Sequence, residues 1–178
     1  MEEAINSAQL EGASTTRRVA KKMFQEVRTP KTEDEQMILN NYRLMVETKL
    51  LKDVPLSIDM ILHFHKIATD KTTQNSVKPG EFRDDNEIII VDSNGETIHQ
   101  PPCYTKINQR LENLCEFANC NHSGENGEIF IDPIIKAIIL HFMIGYEHPF
   151  ADRNGRTARA IFYWFMLLQS EFLFYLFL

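Results

Sequence analysis

The chain has 178 residues, 43% of them hydrophobic, which suffices for one packed domain and is short for two. Its formal net charge of −6 argues against a broad nucleic-acid surface. Cys103, Cys115 and Cys120 form no CxxC pair, which points away from a zinc site or disulfide framework and toward reduced thiols in a cytoplasmic protein.

Met1 to Asn6 shows no apolar run, so no signal peptide is read there. Glycine and proline are scarce, seven each, and the long stretches between them predict a mainly α fold. A first helical region spans about Glu3 to Val27, with a break near Gly12 to Thr15, and Thr29-Pro30 ends it. Its cluster of Arg17, Arg18, Lys21 and Lys22 reads as a solvated face. Thr32 caps a second helix, Glu33 to about Lys52, with Glu35 at the capping-box position. Met37, Tyr42, Leu44, Met45 and Leu51 are its apolar positions, and Pro55 stops it. Ser57 caps a third helix, Ile58 to about Thr69. Here His63 and His65 flank Phe64, do not share a face, and read as structural histidines.

The pattern then changes. Ile88, Ile89, Ile90 and Val91 form a β-branched strand, Asp92 to Gly95 a turn, and Thr97 to His99 a returning strand. A lone hairpin is marginal unless it packs on or pairs with something. Helix resumes over about Tyr104 to Asn119, and Asn121 to Gly127 is a polar loop. Asp132 and Pro133 start a helix that is apolar on most sides, Ile134 to Ile144, and so predicted to be the buried central one. Within it His141 reads as core packing, whereas His99 and His122 read as solvated. Glu147-His148-Pro149 ends it. A final helix starts near Asn154 or Gly155. The apolar run from Ala160 to Leu178, broken by Gln169, Ser170 and Glu171, reads as a core helix followed by an abruptly ended segment rather than a membrane span. Phe172, Phe174, Tyr175 and Phe177 lack cover there, which suggests a chain cut short and makes self-association an expectation.

The corner between the last two helices concentrates polar groups: His148, Asp152, Arg153, Asn154, Arg156 and Arg159. Polar groups between two apolar helices are either paired or functional. Arg156 and Arg159 are three apart and share a helix face. Asn154 and Gly155 stand at a helix start, where free N–H groups and the dipole favour an anion. Two arginines, a helix N-terminus and one carboxylate suit a metal-bound polyphosphate, with Asp152 on Mg²⁺ and His148 as general base. The plain alternative is a capped corner with a surface ion pair.

The run His148-Pro149-Phe150-Ala151-Asp152-Arg153-Asn154-Gly155-Arg156-Thr157-Ala158-Arg159 resembles the Fic-domain signature HxFx(D/E)GN(G/K)RxxR at His148, Phe150, Asp152, Asn154, Gly155, Arg156 and Arg159. The resemblance implies a Fic-type helical bundle with a central buried helix and one β-hairpin flap. Residues 88–91 would be the flap that docks a target protein, with Ile89, Ile90 and Val91 also near the nucleotide. Pro79-Gly80-Glu81-Phe82-Arg83 looks like the flap lead-in. The implied activity is transfer of AMP from ATP to a Ser, Thr or Tyr hydroxyl, with Mg²⁺ on Asp152, phosphates held by Asn154, Gly155, Arg156 and Arg159, and self-modification among the outcomes. Phe150 would pack inward and fix the loop.

Two departures from the family stand out. Arg153 replaces the usual glycine and adds charge and bulk at the phosphate site. The chain also ends soon after Arg159, whereas part of the family's adenine pocket lies well beyond it. At the other end, Ser7-Ala8-Gln9-Leu10-Glu11-Gly12 resembles the family's inhibitory motif (S/T)xxxE(G/N). That implies a two-part chain, residues 1–28 regulatory and 29–178 catalytic, in which Glu11 pairs with Arg159 and keeps the enzyme off, or supports AMP removal by water. An exposed helix-end carboxylate is the simpler reading of Glu11. No DNA-binding module is visible.

Overall fold

The computed structural model describes residues 2–10, 12–72, 77–125 and 129–169. Seven helices and one hairpin make up these residues: α1 (Glu2–Leu10), α2 (Arg17–Gln25), α3 (Glu33–Leu50), α4 (Ile58–Thr69), β1 (Ile90–Val91), β2 (Thr97–His99), α5 (Ile107–Asn119), α6 (Pro133–Glu147) and α7 (Asn154–Leu168). A 3₁₀ turn, Tyr104–Lys106, leads into α5. The fold is mainly α, as the sequence predicts.

Local chemistry sets the helix starts. Thr32 Oγ1 accepts from Glu35 N at 3.2 Å, Ser57 Oγ from Met60 N at 3.2 Å, and Asp132 Oδ1 from Ile134 N at 2.8 Å. The Glu35 carboxylate, however, does not turn back to close a capping box. It takes two bonds from Arg28, at 2.7 and 2.6 Å, and one from Lys31 N at 2.7 Å. The Arg28 guanidinium pulls the carboxyl down to about 2, because a bidentate cation rewards the ionised form. The break after α1 is also explained. Gly12 adopts φ 90°, and Gly12 N and Ala13 N close the helix end on Gln9 O and Ala8 O.

α7 packs against α3, α4 and α6, and α5 packs against α4 and α6. Leu44, Ile61, Phe64, Leu111, Leu140, Ile144, Ile161 and Trp164 form the main core. A smaller core of Ile5, Ala8, Ala20, Met23, Met37 and Ile38 fastens α1 and α2 onto α3. Among the α3 residues read as apolar, Met37 and Leu44 are buried, but Tyr42 is exposed, its ring against Phe24. α3 instead buries polar Gln36, Asn40 and Asn41, and Asn40 donates to Asp70 O at 2.7 Å. α6 is less covered than its composition predicts. It buries Ala137, Leu140 and Ile144, while Ile134, Ile135, Ile138 and Phe142 on the opposite side are exposed.

The hairpin is shorter than its sequence suggests. Only Ile90 and Val91 pair with the returning strand, with a register shift between them. Past His99 the returning chain offers Pro101 and Pro102, which have no N–H to give. Asp92 shapes the turn by accepting from Asn94 N at 2.8 Å and Glu96 N at 2.9 Å, and Gly95 takes φ 82°. No described helix is long and apolar enough to cross a membrane.

Candidate active site

His148 is the C-cap of α6, in the left-handed region at φ 44° and ψ 57°. That turn breaks the helix and aims the following loop at α7. Gly145 O accepts a hydrogen bond from His148 Nδ1 at 3.2 Å. A carbonyl only accepts, so Nδ1 carries the proton and the Nε2 lone pair is left for a substrate. Burial first and the positive Arg83 after it push the ring's pKa below the usual value, against the bond to Gly145, which favours the protonated form. The imidazole is therefore neutral near pH 7, as a base must be.

Three braces fix this corner. Arg83, almost fully buried, donates from Nε to His148 O at 2.9 Å and from its other nitrogens to Asp85 O and Pro102 O. Its own N–H reaches Pro149 O at 2.9 Å. The segment before the hairpin is thereby tied to the loop that follows α6. Glu147, also buried, holds Arg110 of α5 by two bonds of 2.6 Å. His65 stacks flat on Phe150, centroids 3.8 Å apart, accepts from Gly80 N at 3.0 Å, and gives its Nε2 proton to Asp152 O at 3.1 Å. Phe150 is fully buried and packs inward as predicted.

The remaining motif residues divide between shaping and presenting. The Asn154 side chain accepts from Phe150 N at 3.0 Å and donates to Phe150 O at 2.8 Å, which closes the loop on itself. Asn154, Gly155 and Arg156 open α7, and no side chain caps that helix, because Arg153 stands at the N-cap. First-turn amides have no intrahelical partner, so this start suits an anion. Arg156 is buried and donates to Ala68 O at 3.3 Å, whereas Arg159 donates from Nε to Ser7 Oγ at 3.0 Å. Both arginines line one cavity of about 420 Å³ with Leu10, Leu44, His141 and Phe162. Ser7 therefore meets Arg159 in the folded chain, while Glu11 lies outside the described residues. Ile89, Val91 and Ile98 of the hairpin are exposed, and Ile88 and Ile90 are partly covered.

Asp152 is the one motif carboxylate. Among the described residues no three His, Cys, Asp or Glu side chains cluster as a metal cage. Its side chain is 41% exposed. Magnesium is commonly held by one or two carboxylates plus substrate phosphates, and a single exposed carboxylate fits that shared mode.

The histidines are placed differently from their sequence reading in three cases. His141 is exposed on the cavity wall near Arg159 rather than in the core. His99 is not merely solvated: its Nε2 donates to Tyr146 O at 2.7 Å, which fastens the hairpin to α6. His122 is half-buried against Phe117. His63 pairs with Glu47 at the surface.

The helical scaffold thus places a hairpin and a histidine beside an uncapped helix start. The chain belongs to the Fic/DOC family, whose model matches residues 55–166. It is 29% identical over 106 residues to "Protein adenylyltransferase fic-1" of Caenorhabditis elegans, covering 60% of this chain and 18% of that one. It is 24% identical over 116 residues to "Protein adenylyltransferase Fic" of Drosophila melanogaster, covering 65% and 21%. The chain thus spans about a fifth of the length of these relatives. A Fic-domain-containing signaling protein from Bacteroides thetaiotaomicron shares the fold, with a TM-score of 0.74 at 20% identity, covering 92% of this chain and 60% of that one.

Proposed function

We propose that this chain is the catalytic part of a protein adenylyltransferase, which transfers AMP from ATP to a Ser, Thr or Tyr hydroxyl. The observation that carries the reading is the anchored His148 ring, whose Nδ1 is spent on Gly145 and whose Nε2 is open. Nε2 takes the hydroxyl proton, the oxygen attacks the α-phosphorus in line, and pyrophosphate leaves. Such a base contributes about 10²–10⁴-fold. The α7 start, with Asn154 and Gly155, holds phosphate oxygens, and Arg156 and Arg159 serve the outer phosphates. A Mg²⁺ ion shared between Asp152 and the phosphates would supply further charge neutralisation. Residues 88–91, at the first strand of the hairpin, are the surface on which an extended target segment adds as a strand. A cytoplasmic location fits the reduced thiols.

The same reading makes α1 a brake, with residues 1–28 regulating 29–178. The Ser7 bond to Arg159 supports it, because it brings the inhibitory motif onto the arginine meant for the γ-phosphate. Glu11 is the residue of that motif expected to hold the arginine by charge, and AMP removal is the reverse use of the same site. Radiolabelled ATP tests the transferase: Glu11→Gly is expected to label itself or an added target, and His148→Ala to stay unlabelled.

A second reading, an inactive Fic-fold binding or regulatory module, draws on Arg153, whose guanidinium lies against Asp152. Calorimetry with Mg-ATP separates the two. Binding without turnover supports the module.

A further inference from the structure

We propose that Arg153 is a built-in counter-ion for Asp152: it competes with the divalent cation for that carboxylate and lowers the dependence of the site on metal. The proposal rests on Asp152 being the metal-bearing carboxylate of the transferase reading. The geometry around residue 153 carries it.

Both oxygens of Asp152 lie against this one residue. Arg153 N donates to Oδ1 at 2.7 Å, and Arg153 Nε lies 3.2 Å from Oδ2, an ion-pair contact in which Nε makes no hydrogen bond. The guanidinium is held in place rather than left to solvent. Its Nη2 donates to Thr72 O at 3.0 Å and lies 3.7 Å from Glu33 Oε1, and its side chain is 18% exposed. The backbone is left-handed here, φ 61° and ψ 21°, a conformation that glycine takes without strain and arginine does not. Arginine sits at this position against that cost, with its cation directed at the only motif carboxylate.

The consequence is electrostatic. A cation approaching Oδ2 must displace or share the guanidinium, so metal affinity falls. In exchange, the site carries one fixed positive charge beside the phosphates before any metal arrives. A nucleotide should therefore bind this chain with a smaller gain from metal than it would with a neutral residue 153. Arg153 acts through Asp152 and is a positioning residue, not a catalytic one. A held but partly exposed ion pair corresponds to about two- to fivefold in metal affinity.

The test compares the wild-type chain with Arg153→Lys, Arg153→Met and Arg153→Gly, each checked by thermal melting for an intact fold. Bound Mn²⁺ is measured on protein alone by electron paramagnetic resonance. An ATP analogue with a methylene bridge between the α- and β-phosphates is then titrated calorimetrically with and without Mg²⁺. Methionine removes the charge but keeps the bulk and the backbone strain, and lysine keeps the charge. The expected result is tighter Mn²⁺ binding, about two- to fivefold, for both Met and Gly, with Lys near wild type and Asp152→Asn abolishing the difference. The analogue's gain from Mg²⁺ should be larger in the Met and Gly variants. Tightening in Gly alone would assign the effect to backbone strain and overturn the proposal. So would equal Mn²⁺ affinities in wild type and Arg153→Met, or no bound Mn²⁺ in any of them at millimolar concentration. If Mn²⁺ responds as expected but no analogue binds, the counter-ion stands and the transferase reading falls.

Discussion

Arg83→Met removes the side-chain part of the brace between the segment before the hairpin and the His148 corner, and leaves its main-chain bond to Pro149. Arg83 is 6% exposed and supplies bonds to the carbonyls of His148, Asp85 and Pro102. Each charge-assisted bond is worth about 1–1.5 kcal/mol net here, so three give about 3–4.5 kcal/mol. Losing a buried cation returns about 1 kcal/mol of its desolvation cost, since burial already depresses the Arg83 pKa. The net loss is about 2–3.5 kcal/mol, or a fall in Tm of about 4–14 °C for a chain of this size. Lysine keeps the charge but not the planar fork and cannot serve three carbonyls in different directions, so Arg83→Lys should lie between. The second effect concerns His148, whose carbonyl loses its anchor. A displacement of about 1 Å costs about 10²-fold in rate. Thermal melting and ATP labelling in the Glu11→Gly background read the two effects separately. An Arg83→Met protein that melts within 1 °C (roughly, the resolution of a shift of a few tenths of a kcal/mol) and labels at the parental rate would refute the reasoning.

Two further perturbations test the framework. Arg110→Met leaves Glu147 buried without its bidentate partner. Arg110 is 38% exposed, so the usual penalty for breaking a buried pair is discounted to about 2 kcal/mol. Urea denaturation should show that loss, and Arg110→Met with Glu147→Met should recover most of it. Glu35 gives a pH dependence with a definite sign. Its folded pKa is depressed, to about 2 against an ordinary value of 4.5, so its contribution is fully present above pH 4.5 and is lost as pH falls through 2. The acid limb of a stability profile should flatten in Glu35→Gln across that window.

What could be read from the sequence was local. Thr32, Ser57 and Asp132 cap because their oxygens meet an amide two or three residues on, and that spacing is visible in a string of letters. The motif from His148 to Arg159 is equally contiguous. The braces were hidden because their partners are remote. His65 reaches Asp152 across 87 residues, Arg83 reaches His148 across 65, and Arg110 reaches Glu147 across 37. No helix period or turn signal encodes such pairs. His65 reads as a structural histidine, and it is one, but its two ring nitrogens also tie the loops at Gly80 and Asp152 together. A signal for Arg83 was available, since an arginine directly before a lone hairpin must find acceptors if it is buried. Glu35 shows the reverse error: its spacing from Thr32 fits a capping box, yet Arg28 is the stronger partner. The exposed side of α6 was illegible because composition counts apolar residues without saying what covers them.

On the proposed function, His148 is a competent base held idle by α1. Intact-mass spectrometry of Glu11→Gly protein after incubation with ATP and Mg²⁺, with and without cell lysate, tests it most directly. A mass gain of one AMP group on the chain or on a lysate protein, absent in wild type and in Glu11→Gly with His148→Ala, is the predicted result. No AMP on any protein, or AMP transfer that survives loss of His148, would contradict it.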